Sequence, residues 1–393
     1  MYESIFRRLR LGFWQWIFLI LLAGGAYASL VSAMRGSGRV GQVSHTFTAS
    51  LSSGLIAGCG LALAVGAFSI AAFLYYSDWR GVAWIRRATL LIAPLGYLAA
   101  ALASISGLER IGQIGLLILA PWNTRSIQAG LGWYLLVIAA LLAMEFAPGR
   151  CSVSGWHPSP SGRRFVGLLL AALAALVAML HELALLRPIL LAPERFSPLW
   201  ATPELPVLFF FSGVCACLAV AVFSARNRKS VAEVSDTQLS NVGRWLAAML
   251  WLYLLLRLND FLQRGIVDQL VPTGTENYLL GLELALLLLP IFLLGGKGAE
   301  NTARIIAAAD ITIAGVMTNR LNTLITATEG GPQYFPAPEE MLIALSIAAA
   351  AVAGFTVAAK RWNVFGTLEN GFGDDVVPQD VAALLPSGSR YGN

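Results

Sequence analysis

Long apolar runs separated by short polar connections dominate the chain. Ten of them, near residues 11–34, 52–77, 88–108, 127–147, 163–185, 204–225, 242–262, 277–296, 304–326 and 341–361, approach or exceed the roughly 20 residues that a helix needs to cross a bilayer core. A shorter apolar stretch at 111–122 is too short to span beside its neighbours and reads as a loop or interfacial segment. The pattern predicts an all-α protein, a polytopic transmembrane helical bundle of about ten helices.

Composition agrees with that reading. The chain of 393 residues is 57% hydrophobic and 12% charged, about half the charged fraction of a soluble domain. The basic residues lie in clusters between the apolar runs, which argues against nucleic acid as a partner and for a role in topology. With the N-terminus inside, the inner segments carry eighteen Lys and Arg and the outer loops seven. That asymmetry predicts cytoplasmic N- and C-termini. Residues 1–362 then form the transmembrane domain, and the polar, acidic stretch 363–393 is expected to be a flexible cytoplasmic tail. The first run is too long and lacks the small-residue cleavage site of a secretory signal, so it reads as a first membrane helix. Cys59, Cys151, Cys215 and Cys217 have no spacing that completes a metal site and read as free thiols. No internal repeat is visible.

A charged side chain at the centre of a membrane helix costs about 2.5–3.5 kcal/mol on insertion scales, so each one requires a partner or a task. Helix seven carries Arg257 and Asp260, helix eight Glu283, and helix nine Asp310 on its inner side and Arg320 and Asn322 on its outer side. Helix five is expected to end at His181 and Glu182, and helix four at Glu145. Under the predicted topology His181, Arg257, Asp260, Glu283, Arg320 and Asn322 share the outer half. Two readings follow: Arg257 with Asp260 and Glu283 with Arg320 are ion pairs that fix helix packing, or the set lines a polar pocket below the outer surface that exchanges protons with water. His181 and Asp260 are the first candidates for that exchange, with Glu283 beside them. Glu145 and Asp310 are either interfacial carboxylates or part of an inner proton path.

The histidines restrict the redox chemistry. His45 and His157 lie in connections, leaving His181 alone within an apolar run; a haem held between two histidines needs a facing pair inside the bundle. The chain is therefore expected to bind neither haem nor metal.

The loop Leu191-Ala-Pro-Glu-Arg-Phe-Ser-Pro-Leu-Trp-Ala-Thr-Pro-Glu-Leu-Pro206 after His181, the segment Leu255-Leu-Arg-Leu-Asn-Asp260, and Asn319-Arg-Leu-Asn322 followed by Tyr334-Phe-Pro336 together resemble the NrfD/polysulfide-reductase integral membrane subunits. The likeness spans roughly residues 10–365 and points within that family to the HybB-like membrane subunits of periplasmic nickel–iron hydrogenases. It implies a haem-free, quinone-interacting subunit of a respiratory complex in the bacterial inner (cytoplasmic) membrane. Such a subunit is not catalytic alone. Its partners would be a periplasmic ferredoxin-like iron–sulfur subunit and a hydrogenase-type catalytic subunit, and its cofactor menaquinone or ubiquinone, with proton translocation as a coupled activity. Carried over by motif, His181, Asp260, Glu283 and Glu145 become proton-path candidates, and His181, Arg257 and Asp260 quinone-site candidates. Trp133, Tyr134 and Trp200 are expected to line the pocket, and Phe196–Pro206 to cover it. The alternative is a passive membrane anchor for a periplasmic redox complex, without a quinone site.

Overall fold

A computed structural model describes residues 13–35, 51–77, 83–106, 131–146, 159–226, 235–267, 274–326 and 337–362. The segment 111–122, His45, His157, Cys151, Tyr334–Pro336 and the tail 363–393 lie outside the described residues, as does the side chain of Trp133. Ten α-helices account for most of what is described, with no strand element among those residues: α1 Phe13–Arg35, α2 Ala57–Ser77, α3 Ala83–Ser106, α4 Leu131–Phe146, α5 Pro160–Leu191, α6 Leu205–Arg226, α7 Asp236–Arg264, α8 Thr275–Leu294, α9 Thr302–Leu321 and α10 Pro338–Arg361. Each falls on one of the ten apolar runs.

Seven of these helices (α2, α3, α5, α6, α7, α8 and α10) are long and apolar enough to cross a membrane. The apolar parts of α1 and α4 are shorter, Trp16–Val31 and Tyr134–Phe146, and α9 carries Arg304, Asp310 and Arg320 along its length. The bundle is multi-pass. Its centre is α2, α3 and α6, whose apolar segments are mostly buried, while α5, α7, α8 and α10 turn many leucines outward. Helices buried on all sides need small residues where they cross, because lipid gives no hydrophobic drive to compensate for loose packing. A methyl group on Gly66 of α2 would collide with the Gly213 carbonyl of α6, and one on Gly60 with the Gly96 carbonyl of α3.

Local chemistry sets several boundaries. Ser159 caps α5 by accepting from Gly162 N at 3.1 Å, with Pro160 in the first turn. Ser235 and Gln238 form a reciprocal capping box at the start of α7, and Gly265, at φ 64°, ends that helix.

One boundary differs from expectation. α5 does not end at His181 and Glu182 but continues to Leu191, through Pro188. Proline forfeits one backbone hydrogen bond, yet Leu186 and Ile189 bury against Leu205 and Phe209 of α6, and that packing holds the extra turns. His181 therefore lies ten residues inside the helix, within the bundle.

Candidate functional site

His181 and Glu182 are adjacent on α5, so their side chains leave the helix about 100° apart and reach different neighbours. His181, 1% exposed, has Nδ1 at 2.6 Å from the Tyr97 hydroxyl of α3. Tyr134 of α4 packs edge-on against both rings, with centroids 4.2 Å from Tyr97 and 6.1 Å from His181. Its own hydroxyl donates to the Ala174 carbonyl at 2.7 Å. One side of α5 thus carries a closed aromatic cluster around a histidine.

Glu182 faces the other way, toward α9. Its Oε1 accepts from Arg320 Nη2 at 3.3 Å. Arg320 is fully buried, and its guanidinium also donates to the Phe209 carbonyl at 3.0 Å and to Asn319 Oδ1 at 2.9 Å, while stacking 3.4 Å above the Phe209 ring. Asn319 passes the chain on, donating to Glu283 Oε1 of α8 at 2.8 Å. Glu283 Oε2 accepts from Asn322 at 2.9 Å and from the indole of Trp200 at 3.0 Å. A continuous buried network therefore runs Glu182–Arg320–Asn319–Glu283–Trp200.

This arrangement corrects one expected pairing. Arg320 and Glu283 do not form a direct ion pair; Arg320 pairs with Glu182, and Asn319 stands between it and Glu283. Asn319 and Arg320 are consecutive and diverge around α9, so one reaches α8 and the other α5 and α6. The other expected pair holds, with Arg257 Nη1 3.7 Å from Asp260 Oδ2.

The loop between α5 and α6 closes the site. Leu199 and Trp200 bury with Phe261, Ile266 and Leu280 at the ends of α7 and α8. Arg257 donates to the Leu199 carbonyl at 2.8 Å and lies over the Phe261 ring. Asp260 accepts from Thr202 Oγ1, from Arg264 Nε at 2.9 Å and from Arg264 Nη2 at 2.6 Å. Arg264 also holds the Pro198 and Ala201 carbonyls, and Ser197 bonds Glu276 at the start of α8. Six loop residues, 197–202, are thereby fastened to two helices. Residue 200 contributes the indole to Glu283 while residue 199 contributes the carbonyl to Arg257, so the loop joins the two charged groups.

Glu145 stands apart. It accepts from the Tyr75 hydroxyl at 2.9 Å and from Arg86 at 3.2 Å, and Arg87 lies 3.6 Å away. Gly167 of α5 abuts that same Tyr75 ring. His181 lies fourteen residues further along α5, about 21 Å at the helical rise. Glu145 and the His181 cluster therefore lie at different levels of the bundle. Asp310 is ten residues from Arg320 on α9, about 15 Å.

The structure brings together His181 with Tyr134, Glu283 with Trp200, and Arg257 with Asp260. Tyr97, Thr202 and Arg264 join the site without having been singled out as site residues in the sequence, and Asn319, quoted there only within the Asn319-Arg-Leu-Asn322 segment, joins it as the link to Glu283. Only Arg264 carried a readable signal, its position four residues after Asp260 on one helix face. Among the described residues His181 is the one histidine, and its Nδ1 lies within hydrogen-bond distance of the Tyr97 hydroxyl. No group of three or more potential metal ligands occurs among those residues.

No protein-family model matches the chain. It is 23% identical over 359 residues to a protein of Nitratidesulfovibrio vulgaris whose description gives no function, covering 88% of this chain and 92% of that relative. It is 22% identical over 316 residues to a probable Ni/Fe-hydrogenase 2 b-type cytochrome subunit of Escherichia coli, covering 76% of this chain and 78% of that relative.

Proposed function

We propose that the chain is the integral membrane subunit of a hydrogenase-type respiratory oxidoreductase, of the NrfD/polysulfide-reductase kind, exchanging electrons between a periplasmic iron–sulfur partner and the quinone pool. The observation that carries the reading is the buried chain Glu182–Arg320–Asn319–Glu283–Trp200 beside the His181–Tyr97 pair, under a loop anchored by Arg257, Asp260 and Arg264. Ionisable groups this deep in a membrane bundle mark pathways for protons or substrates. The likeness to a probable Ni/Fe-hydrogenase 2 b-type cytochrome subunit supports the class of complex.

A bound menaquinone or ubiquinone would supply the redox chemistry, exchanging two electrons and two protons. In this reading His181, hydrogen-bonded to Tyr97, and Glu283 hold or pass protons, and Asp260 and Arg257 fix the loop at the mouth of the site. Arg257 holds Asp260 ionised and stabilises negative charge developing nearby. Tyr134 and Trp200 supply flat aromatic walls, with Trp133 of α4 a further candidate. The site is haem-free and faces the periplasmic side of the bacterial inner membrane; both termini are cytoplasmic. Glu145 lies at the cytoplasmic end, where a proton entering from that side would meet it.

One observation favours a passive anchor instead: Asp260 is saturated by Arg257, Arg264 and Thr202, as a purely structural carboxylate would be. The purified complex separates the readings. Turnover with a soluble quinone should be blocked by a quinone-analogue inhibitor and lost in Glu283→Gln with the subunits still co-purifying. Turnover indifferent to both would leave the anchor.

A further inference from the structure

Trp200 is a loop residue seated as a ligand would be. It is fully buried, packed with Phe261 and Ile266 at the end of α7, Leu280 of α8 and Leu199 of its own loop. These side chains form a cluster of their own, separate from the main core of the bundle. On its polar side the indole N–H donates to Glu283 Oε2 at 3.0 Å. The seat is thus a flat apolar slot that holds two fused rings and offers them one carboxylate.

Emptying the slot strands no charge. Glu283 keeps the Asn319 amide on Oε1 at 2.8 Å and the Asn322 amide on Oε2 at 2.9 Å, so its position does not depend on Trp200. Arg257, Asp260 and Arg264, which hold the loop, all lie on α7 and pair there with one another. The loop gives them neutral groups, the carbonyls of Pro198, Leu199 and Ala201 and the Thr202 hydroxyl. Water replaces partners of this kind at small cost, whereas parting a buried ion pair is far more expensive. The Trp200 and Ala201 amides both donate to the Ser197 carbonyl, so the loop closes a turn whose shape does not rely on α7 or α8.

The chemistry at Glu283 selects what replaces the indole. All three hydrogen bonds that the described side chains bring to this carboxylate are donated to it, and a replacement must donate as well. A quinol hydroxyl does so; a quinone carbonyl is an acceptor and would face the carboxylate with no proton between them.

We propose that, within the quinone reading on which this rests, Trp200 is a displaceable plug. With the loop down, its indole lines the site by filling the ring seat. With the loop lifted, a flat bicyclic quinol takes that seat, its hydroxyl donating to Glu283 Oε2 in place of the indole N–H. The loop is then a self-inhibitory contact, released by a ligand that is planar, apolar and a hydrogen-bond donor, and it separates the reduced from the oxidised form of the quinone pool. A site that fills itself binds with an affinity lowered by the fraction of time it stands open.

Anaerobic titration of the detergent-purified full chain with dimethylnaphthoquinol and dimethylnaphthoquinone, one skeleton at two oxidation levels, tests this by calorimetry and by deuterium exchange of backbone amides. The quinol should bind about tenfold more tightly than the quinone, the order that one hydrogen bond to a charged group supplies, and should speed exchange at residues 197–202 about fivefold. Trp200→Ala removes the competitor and should tighten quinol binding about tenfold as the closed fraction falls. Ser197→Ala, which releases only the tether to Glu276, should tighten it about threefold and carries the test where Trp200→Ala fails to fold. Quinol binding that leaves residues 197–202 as protected as before, or that is no tighter in these variants, would overturn the plug and leave the quinone site standing. Equal affinity for the two oxidation levels would overturn the need for a donor at Glu283. Failure of the parent and both variants to bind either compound would overturn the quinone reading, and the plug with it.

Discussion

Arg320 is the most informative residue to perturb. Its side chain is fully buried and makes three hydrogen bonds, to Glu182, the Phe209 carbonyl and Asn319, over the face of the Phe209 ring. Removing it in Arg320→Leu leaves the Glu182 carboxylate buried without its cation and Asn319 Oδ1 without its donor. Breaking one side of a buried ion pair costs about 3–5 kcal/mol, and an orphaned acceptor adds about 1–3 kcal/mol. Part of this is recovered by the leucine's packing, so a net loss of about 4 kcal/mol is expected. Glu182→Gln keeps a polar acceptor for Arg320 and should cost less, about 2 kcal/mol, because an uncompensated guanidinium remains but three of its contacts persist. The double variant Glu182→Gln, Arg320→Leu should then cost clearly less than the sum, with a coupling of at least about 1 kcal/mol for residues in one network.

Thermal unfolding of the detergent-solubilised protein, followed through a thiol-reactive fluorophore on the buried Cys215 and Cys217, gives the readout. At about 2 °C per kcal/mol for a large domain, Arg320→Leu should lower Tm by roughly 8 °C. Arg320→Lys should also fall by several degrees, since an ammonium cannot reproduce the forked contacts or the stacking. Single variants within 1 °C of the parent, or a double variant that equals the sum of the singles, would refute the idea that these residues form one coupled network.

The other predictions concern the loop, the histidine and the central crossing. Asp260→Asn removes the charge that Arg264 grips twice, so backbone amides of residues 197–202 should exchange with deuterium at least tenfold faster, consistent with losing about 1.5–3 kcal/mol per charged hydrogen bond; unchanged protection there would count against the latch. Tyr97→Phe leaves the His181 ring nitrogen without its 2.6 Å partner and should cost about 1–3 kcal/mol in the same unfolding assay, while Tyr76→Phe, on an exposed side chain, should cost nothing measurable. Gly66→Ala pushes a methyl into the Gly213 carbonyl and should destabilise by about 1–3 kcal/mol or more as an overpacked crossing; Gly281→Ala, with open space around it, should be tolerated, and equal effects from the two would show that the α2–α6 crossing is not as close as described.

The sequence alone determined the fold class and the place of all ten helices. A membrane helix is a local object: it must satisfy its own backbone and carry enough consecutive apolar residues to span, and both requirements can be read from one stretch of chain. The same locality made His181, Asp260, Glu283 and Arg320 conspicuous, since charge in an apolar run is costly wherever the run ends up. Partnership was not legible, because it depends on how helices rotate and cross. His181 and Glu182 are neighbours in sequence but serve separate clusters on α3–α4 and α9. Asn319, rather than Arg320, reaches Glu283. Glu145, grouped by sequence with the proton-path candidates, proved to meet Tyr75 at the level of Gly167, about 21 Å along α5 from His181, tied to Arg86 and Arg87. The end of α5 was missed for a related reason: the apolar run was bounded near residue 185 with His181 and Glu182 at its end, whereas burial of Leu186 and Ile189 against α6 carried the helix on. Apolar length specified what each segment is; only tertiary packing decided which polar atoms meet.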